Sequence, residues 1–363
     1  MYIKNLQFID FRNYKKVNIE LNKNTNIFIG DNAQGKTNIL EGIYYCSIGK
    51  SQRTSRDKEL INWNGKEAYL NLYVVKDRLN KKIEIKIFKD GKKGININSI
   101  KVNKMSELMG VLNVVMFSPD DLKIVKESPS YRRKFLDIEL CKLSKRYYFN
   151  LQQYNKVLAQ RNIILKDSSE NKLKIIDIYD EQLSKYGSEI ISLRNKYVKK
   201  LENKGKIIHR DITSGKEKLE LFYITDVSIT DNLKENMLKR LKENRSKDFQ
   251  RKITSIGPHK DDFEVKINGM NVRNYGSQGQ QRTSVLTIKF ASFEIIKDLM
   301  GEYPVLLLDD VLSELDASRQ KYILNSINGI QTFITCTGIG DIKKYLKDQS
   351  ELFVVQKGRI QKV

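Results

Sequence analysis

The run Gly30-Asp31-Asn32-Ala33-Gln34-Gly35-Lys36-Thr37 limits this chain more than any other feature. It follows a short apolar stretch, Asn26-Ile27-Phe28-Ile29, and precedes a segment in which Ile39, Leu40, Ile43 and Tyr44 share one helical face. Strand, glycine-bounded loop and helix in that order let main-chain N–H groups and a helix N-terminus converge on phosphate oxygens. The pattern G-x-x-x-x-G-K-[ST] puts Lys36 on the β- and γ-phosphates and makes the Thr37 hydroxyl a Mg²⁺ ligand. All eight residues are therefore candidate nucleotide contacts, with ATP and Mg²⁺ as the expected cofactors.

A second run supports this reading. Val305-Leu306-Leu307-Leu308 is continuously apolar, as a parallel strand buried on both faces requires. It ends in Asp309-Asp310, which places two carboxylates at the carboxyl edge of a sheet. Asp309 is expected to hold Mg²⁺, and Asp310 to orient and deprotonate the attacking water, so Lys36, Asp309 and Asp310 form the expected catalytic set. A third run, Ser277-Gln278-Gly279-Gln280-Gln281-Arg282, precedes an apolar segment read as a helix from about Thr283. Serine and glycine at a helix N-terminus make a second cradle for an anion.

The periodicity divides the chain into three stretches. Up to about residue 120 short strands surround one helix: Val17–Leu21 and Ile83–Phe88 alternate, Asp90-Gly91 marks a turn, and Val114–Phe117 closes the series. From about 128 to 250 long helices take over. Ile176, Tyr179, Leu183, Tyr186, Ile190, Leu193 and Tyr197 step by three and four, and an antiparallel arm packing on itself satisfies that spacing without a second chain. Lys166–Glu170 is the expected turn of its hairpin. After about 252 the strand pattern returns, with Phe263–Ile267 alternating before Asn268-Gly269. The expected fold is thus α/β, an ATPase head formed by residues 1–125 and 252–363, with a mostly helical domain inserted at 126–251.

Charge narrows the partners. The 363 residues carry 66 Lys+Arg against 44 Asp+Glu, a net charge of +22 that points to nucleic acid, with a lysine-rich solvated surface or an acidic membrane as the alternatives. No apolar run reaches the ~18 residues of a membrane span, and the opening residues read as a strand and not as a signal peptide, so a soluble cytoplasmic protein is expected. Cys46, Cys141 and Cys336 are scattered, and His209 and His259 form no metal-ligand pair. For His259 a structural tie between the inserted domain and the head is expected.

The loop, the serine-glycine turn, the acidic pair and Ser313-Glu314-Leu315-Asp316 stand in the order of the ABC ATPase superfamily, whose signature (L-S-G-G-Q) and D-loop the second and last of them resemble. That resemblance implies Ser277, Gly279 and Gln280 as nucleotide contacts, Ser277 and Gly279 acting in trans, and an active ATP-bound homodimer. The chain further resembles the RecF family in Asp10–Tyr14, Lys50–Leu60, Phe117–Leu122, Tyr131–Asp137 and Gly257–Asp262. This implies an SMC-like head and ATP-dependent, sequence-tolerant DNA binding in recombination, replication and gap repair, within the SOS response to DNA damage. RecR and RecO are the implied partners. It also implies that Arg12 and Asn13 lie near the nucleotide. Arg53 or Arg56 would reach the phosphates, with a surface ion pair as the competing role.

Three departures from the transporter pattern bear on mechanism. Phe117–Leu122 lacks the lobe-joining glutamine, Thr335-Cys336-Thr337 stands where a histidine is usual, and Asp310 replaces a glutamate. The shorter carboxylate implies slow hydrolysis, suited to a timer. An ATPase subunit coupled to a membrane transporter is the alternative function, and a head that keeps its ATP bound is a third.

Overall fold

The computed structural model describes residues 1–77, 79–166, 172–338 and 350–363. They form two compact units: Met1–Asp121 with Ser292–Val363, and Leu122–Ala291. In chain order the strands are β1 (Tyr2–Phe11), β2 (Tyr14–Glu20), β3 (Thr25–Ile29), β4 (Glu67–Val75), β5 (Lys81–Phe88), β6 (Lys93–Ile97), β7 (Ile100–Lys101) and β8 (Val114–Phe117) in the first unit. The second unit holds β9 (Leu219–Ile224), β10 (Asp262–Ile267) and β11 (Met270–Asn271); β12 (Val305–Asp309), β13 (Thr332–Cys336), β14 (Ser350–Gln356) and β15 (Arg359–Lys362) return to the first.

The first unit is built on two sheets. One is antiparallel, in the order β2-β1-β4-β5-β6-β7. Its strands alternate, so that Ile83, Ile85 and Ile87 of β5 are fully buried while the residues between them face away. The other runs β15-β14-β3-β13-β12-β8 and is parallel except for the terminal hairpin. Every residue of β8, β12 and β13 is buried, the signature of strands covered on both faces. The helix Lys36–Ile48 is buried along nearly its whole circumference. One hydrophobic cluster joins Phe8 and Phe11 of β1, Ile39 and Ile43 of this helix, and Leu307, Phe333 and Phe353 of the parallel sheet. Gly42 permits that closeness: a Cβ there would lie 2.4 Å from the Phe8 ring.

The second unit is mostly helical. Lys172–Thr213 is a single helix of 42 residues that packs against the helices Lys145–Ile164 and Leu233–Glu243. Of the stripe read from the sequence, Ile176, Leu183, Ile190 and Tyr197 are buried and the intervening positions are half-buried. The arm packs on itself, as its spacing predicts. Of the expected hairpin turn, Asp167–Glu170 lie outside the described residues.

The boundary of this unit differs from the one read in the sequence. Residues 252–291 cluster with the helices and not with the head. The cause is β9, a strand within the stretch read as helical, which pairs antiparallel with β10 along its full length from Leu219↔Ile267 to Ile224↔Asp262. The alternation of Phe263–Ile267 is therefore that of a strand in a separate three-stranded sheet, β11-β10-β9. Asn268 and Gly269 form its turn, both with positive φ.

Candidate nucleotide site

The loop Gly30–Thr37 leaves the carboxyl end of β3, where ligands of open parallel sheets bind. Ala33 and Gly35 have φ of 63° and 117°, which folds the loop back on itself. Lys36 is buried, and its Nζ donates to the carbonyls of Gly30 at 2.5 Å and Asp31 at 2.8 Å. Its charge is thus held inside the loop. The loop is pinned from outside at three points. Tyr14 donates its hydroxyl to the Gly35 carbonyl, Asn13 Nδ2 donates to the Gln34 carbonyl, and the Gln34 side chain accepts from Lys357 N–H.

The acidic pair is held from two sides, by Thr37 of the loop and by a residue that the motifs did not indicate. In the parallel sheet β13 lies between β3 and β12, and Thr335 pairs in register with Asp309. The Thr335 hydroxyl donates to Asp309 Oδ1 at 2.9 Å and accepts the Asp310 N–H at 2.9 Å. From the other side Thr37 Oγ1 donates to the same Asp309 oxygen at 2.8 Å. Burial pushes the Asp309 carboxyl above the ordinary carboxylate range, while the hydrogen bonds from Thr37 and Thr335 and the charge of Arg53 pull it back. A mostly buried carboxylate beside a hydroxyl, next to a phosphate loop, is the donor set that a hard cation completing its shell with phosphate and water would use. The residues present fit Mg²⁺.

Arg12 and Asn13 lie beside the loop, but their side chains are occupied. The Arg12 guanidinium makes a bidentate pair with Glu41 at 2.7 and 2.9 Å, and Glu41 is fully buried in the helix that follows the loop. Glu41 also accepts from Ser51 Oγ at 2.6 Å and Arg53 Nη1 at 3.3 Å, and Arg53 donates to Asn38 at 2.9 Å. Arg53 remains 43% exposed while holding Glu41 and Asn38, whereas Arg56 is 73% exposed and pairs with Glu59 only at 4.0 Å. Glu41 thus gathers Arg12, Ser51 and Arg53 around the helix that follows the loop. No motif flagged it, because an acidic residue in a helix reads as solvated until the second sheet is known to cover it.

The serine-glycine turn belongs to the second unit and does not precede its helix: it forms the first turn of Gln278–Met300. Gln280 N–H donates to Ser277 Oγ at 3.2 Å, and Ser277 N–H donates to Gln280 Oε1 at 3.0 Å. This reciprocal pair is a capping box, with glutamine three residues after the serine. Ser277 is exposed.

His259 lies within the second unit, accepting from Tyr154 OH at Nδ1 (2.7 Å) and donating from Nε2 to the Thr254 carbonyl (3.0 Å). It ties the helix Lys145–Ile164 to the 252–291 segment, so both sides of the expected tie fall inside one unit. All three cysteines are buried and free. Among the described residues no group of three or more His, Cys, Asp or Glu could hold a metal by itself.

Comparison with known proteins decides the family. The model of the RecF/RecN/SMC N-terminal domain matches residues 2–361. The DNA replication and repair protein RecF of Clostridium kluyveri is 67% identical over the whole of both chains. This chain belongs to the RecF family.

The RecF of Clostridium tetani is 60% identical over 99% of each chain. Two solved structures, of the recombination mediator RecF with ATP and with ATPrS, are 38% identical and superpose with TM-scores of 0.93 and 0.91, covering 100% of this chain and 97% and 98% of theirs. The Smc head domain of Pyrococcus furiosus, 18% identical with a TM-score of 0.58, shares the fold. This RecF-family chain is accordingly an ABC-type ATPase of DNA replication and repair with an SMC-like head. The transporter alternative has no support, and among the described residues no helix is long and apolar enough to cross a membrane.

Two RecF-family blocks acquire a structural meaning. Tyr131–Asp137 and Gly257–Asp262 meet inside the second unit: Arg132 grips Asp262 at 2.6 and 2.9 Å, and Arg133 donates to the Asp261 carbonyl. Arg194 bridges Asp137 and the Pro258 carbonyl, both at 2.6 Å.

Proposed function

We propose that two copies of this chain close on ATP into a homodimer that holds DNA and that slow hydrolysis reopens it, with Thr37 and Asp309 as the residues that would hold Mg²⁺. Lys36 and the loop amides bind the triphosphate of one copy, and Ser277 and Gly279 of the other copy cap it in trans. Gly30 to Thr37 provide the loop contacts, Asn13 acts on the nucleotide by fixing the loop at Gln34, and Arg12 acts near it from its pair with Glu41. Magnesium supplies charge neutralisation on the phosphate oxygens. Asp310, its N–H anchored on Thr335, orients the attacking water.

The observation that carries this reading is Ser277, exposed at the N-terminus of the helix Gln278–Met300 and held in one orientation by its capping box. The solved relative is described as a recombination mediator of a RecFOR pathway, and by likeness RecR and RecO are the partners of this cytoplasmic reaction. The test is sedimentation velocity with a slowly hydrolysed ATP analogue, together with DNA retention. Wild type should dimerise and retain DNA. Lys36→Ala should lose ATP binding, dimer and retention together. Ser277→Arg should bind ATP as wild type does and remain monomeric; normal dimers from that variant would remove the trans role.

A further inference from the structure

Behind Ser277 a chain of hydrogen bonds runs inward. Gln280 uses both ends of its amide: Oε1 accepts the Ser277 N–H, and Nε2 donates to Glu217 Oε1 at 3.0 Å. The other Glu217 oxygen lies 3.0 Å from His209 Nε2, and His209 Nδ1 lies 3.0 Å from Thr287 Oγ1 of the same helix that Ser277 begins. His209 is fully buried near the C-terminal end of the 42-residue helix, and the Glu217 side chain is 20% exposed. Gly205, one turn earlier, lets that helix pass close to Leu219 and Thr287: a Cβ there would lie 3.0 Å from one and 3.5 Å from the other.

The chemistry of this chain has a direction. A carboxylate only accepts, so Glu217 requires a donor from each neighbour. It therefore turns the Gln280 amide nitrogen towards itself and the amide oxygen towards Ser277. It also requires a proton on His209 Nε2, while Nδ1 meets the Thr287 hydroxyl. With the amide reversed, an N–H would face the Ser277 N–H and the capping box would open.

We propose that Glu217 and His209 are positioning residues for the signature turn, acting through Gln280 to hold Ser277 in the orientation that caps ATP on a second copy. This deepens the trans reading above and rests on it. Gln280 then serves Ser277 and not the nucleotide, and the end of the long helix becomes the support of the half-site.

The experiment measures dimerisation affinity with the slowly hydrolysed analogue, ATP affinity of the monomer, and thermal stability. Wild type, Glu217→Ala, Ser277→Ala and the double variant form a double-mutant cycle. Glu217→Ala should weaken the dimer on the order of tenfold with monomer ATP affinity unchanged. In the Ser277→Ala background the same change should cost nothing further. Equal losses in both backgrounds, or none in either, would overturn the proposal. If Ser277→Ala dimerises normally, the trans reading fails and takes this one with it. If Ser277→Ala is defective and Glu217→Ala is not, this one fails alone.

An isosteric pair covers the case in which Glu217→Ala does not fold. Gln280→Glu sets two carboxylates against each other and should weaken the dimer. Adding Glu217→Gln restores a donor–acceptor contact with the roles exchanged, and should recover dimerisation to within a few-fold. Absence of recovery in a folded, ATP-binding double variant counts against the proposal.

Discussion

His259 shows how a side chain can look catalytic and be a fastener. It stands in a family block beside a basic residue, yet both ring nitrogens are used internally. Burial holds its pKa down at about 4, with Lys260 and Arg133 adding to the effect and the Thr254 carbonyl and Asp248 opposing it. The unfolded chain, with an ordinary imidazole near 6.5, therefore binds the proton first as pH falls. Stability from this group is complete above pH 6.5 and is lost as pH drops towards 4. At pH 5 the loss should be about 2 kcal/mol. Amide hydrogen exchange in the helix Lys145–Ile164, corrected for intrinsic rate, measures it at pH 7.5 and 5. His259→Gln should show a decline smaller by that amount; equal declines would mean that the imidazole is not the titrating group. At this scale the sequence was most legible where backbone geometry dictates residue type, as in Gly30–Thr37. It was least legible for Thr335, Glu41 and Glu217, whose roles depend on a neighbour distant in sequence.

Among elements, the order of strands and helices in the first unit follows from apolar period, since its longer strands are buried on one face or on both, while the short edge strands β7 and β15 are not. The second unit hid β9, a short strand behind the 42-residue helix whose partner β10 lies well downstream. Local pattern identifies a strand but cannot name its partner, so the unit boundary moved with the pairing. The helices of this unit are joined by charge as well as by apolar packing. Arg161, on the helix Lys145–Ile164, donates to Asp180 of the long helix at 2.6 Å and to Asp248 of Arg245–Arg251 at 2.7 Å, and all three side chains are fully buried. Arg245 gives Asp180 a second partner at 2.7 Å, and Ser255 holds the other oxygen of Asp248. Removing the central cation strands two buried carboxylates with partial compensation. Arg161→Ala should therefore destabilise the unit by about 3–5 kcal/mol. Urea unfolding followed by far-UV circular dichroism measures it. A change under about 1 kcal/mol, the range of exposed pairs, would mean that water enters the site and screens it.

For the whole molecule the excess of positive charge acts on two equilibria in opposite senses. A chain of net charge +22 gains from phosphate neutralisation, and the counterions released make DNA affinity fall steeply with salt. The same excess repels a second copy. In the proposed homodimer ATP and its cation would bring a modest negative charge to the interface, so the repulsion between two strongly basic protomers would be only partly offset, and added salt would screen it. From 50 to 200 mM salt, ATP-dependent dimerisation without DNA should therefore tighten, while DNA binding by the dimer weakens on the order of a thousandfold and varies little with base sequence. At low salt DNA itself should drive assembly, because the polyanion between the copies removes the repulsion that opposes them. Sedimentation velocity across a salt series, with and without duplex DNA, separates the two effects. A dimer that loosens with salt in the absence of DNA would show that attraction between local charges at the interface outweighs the global field, and the coupling of assembly to DNA would then have to come from contacts and not from charge.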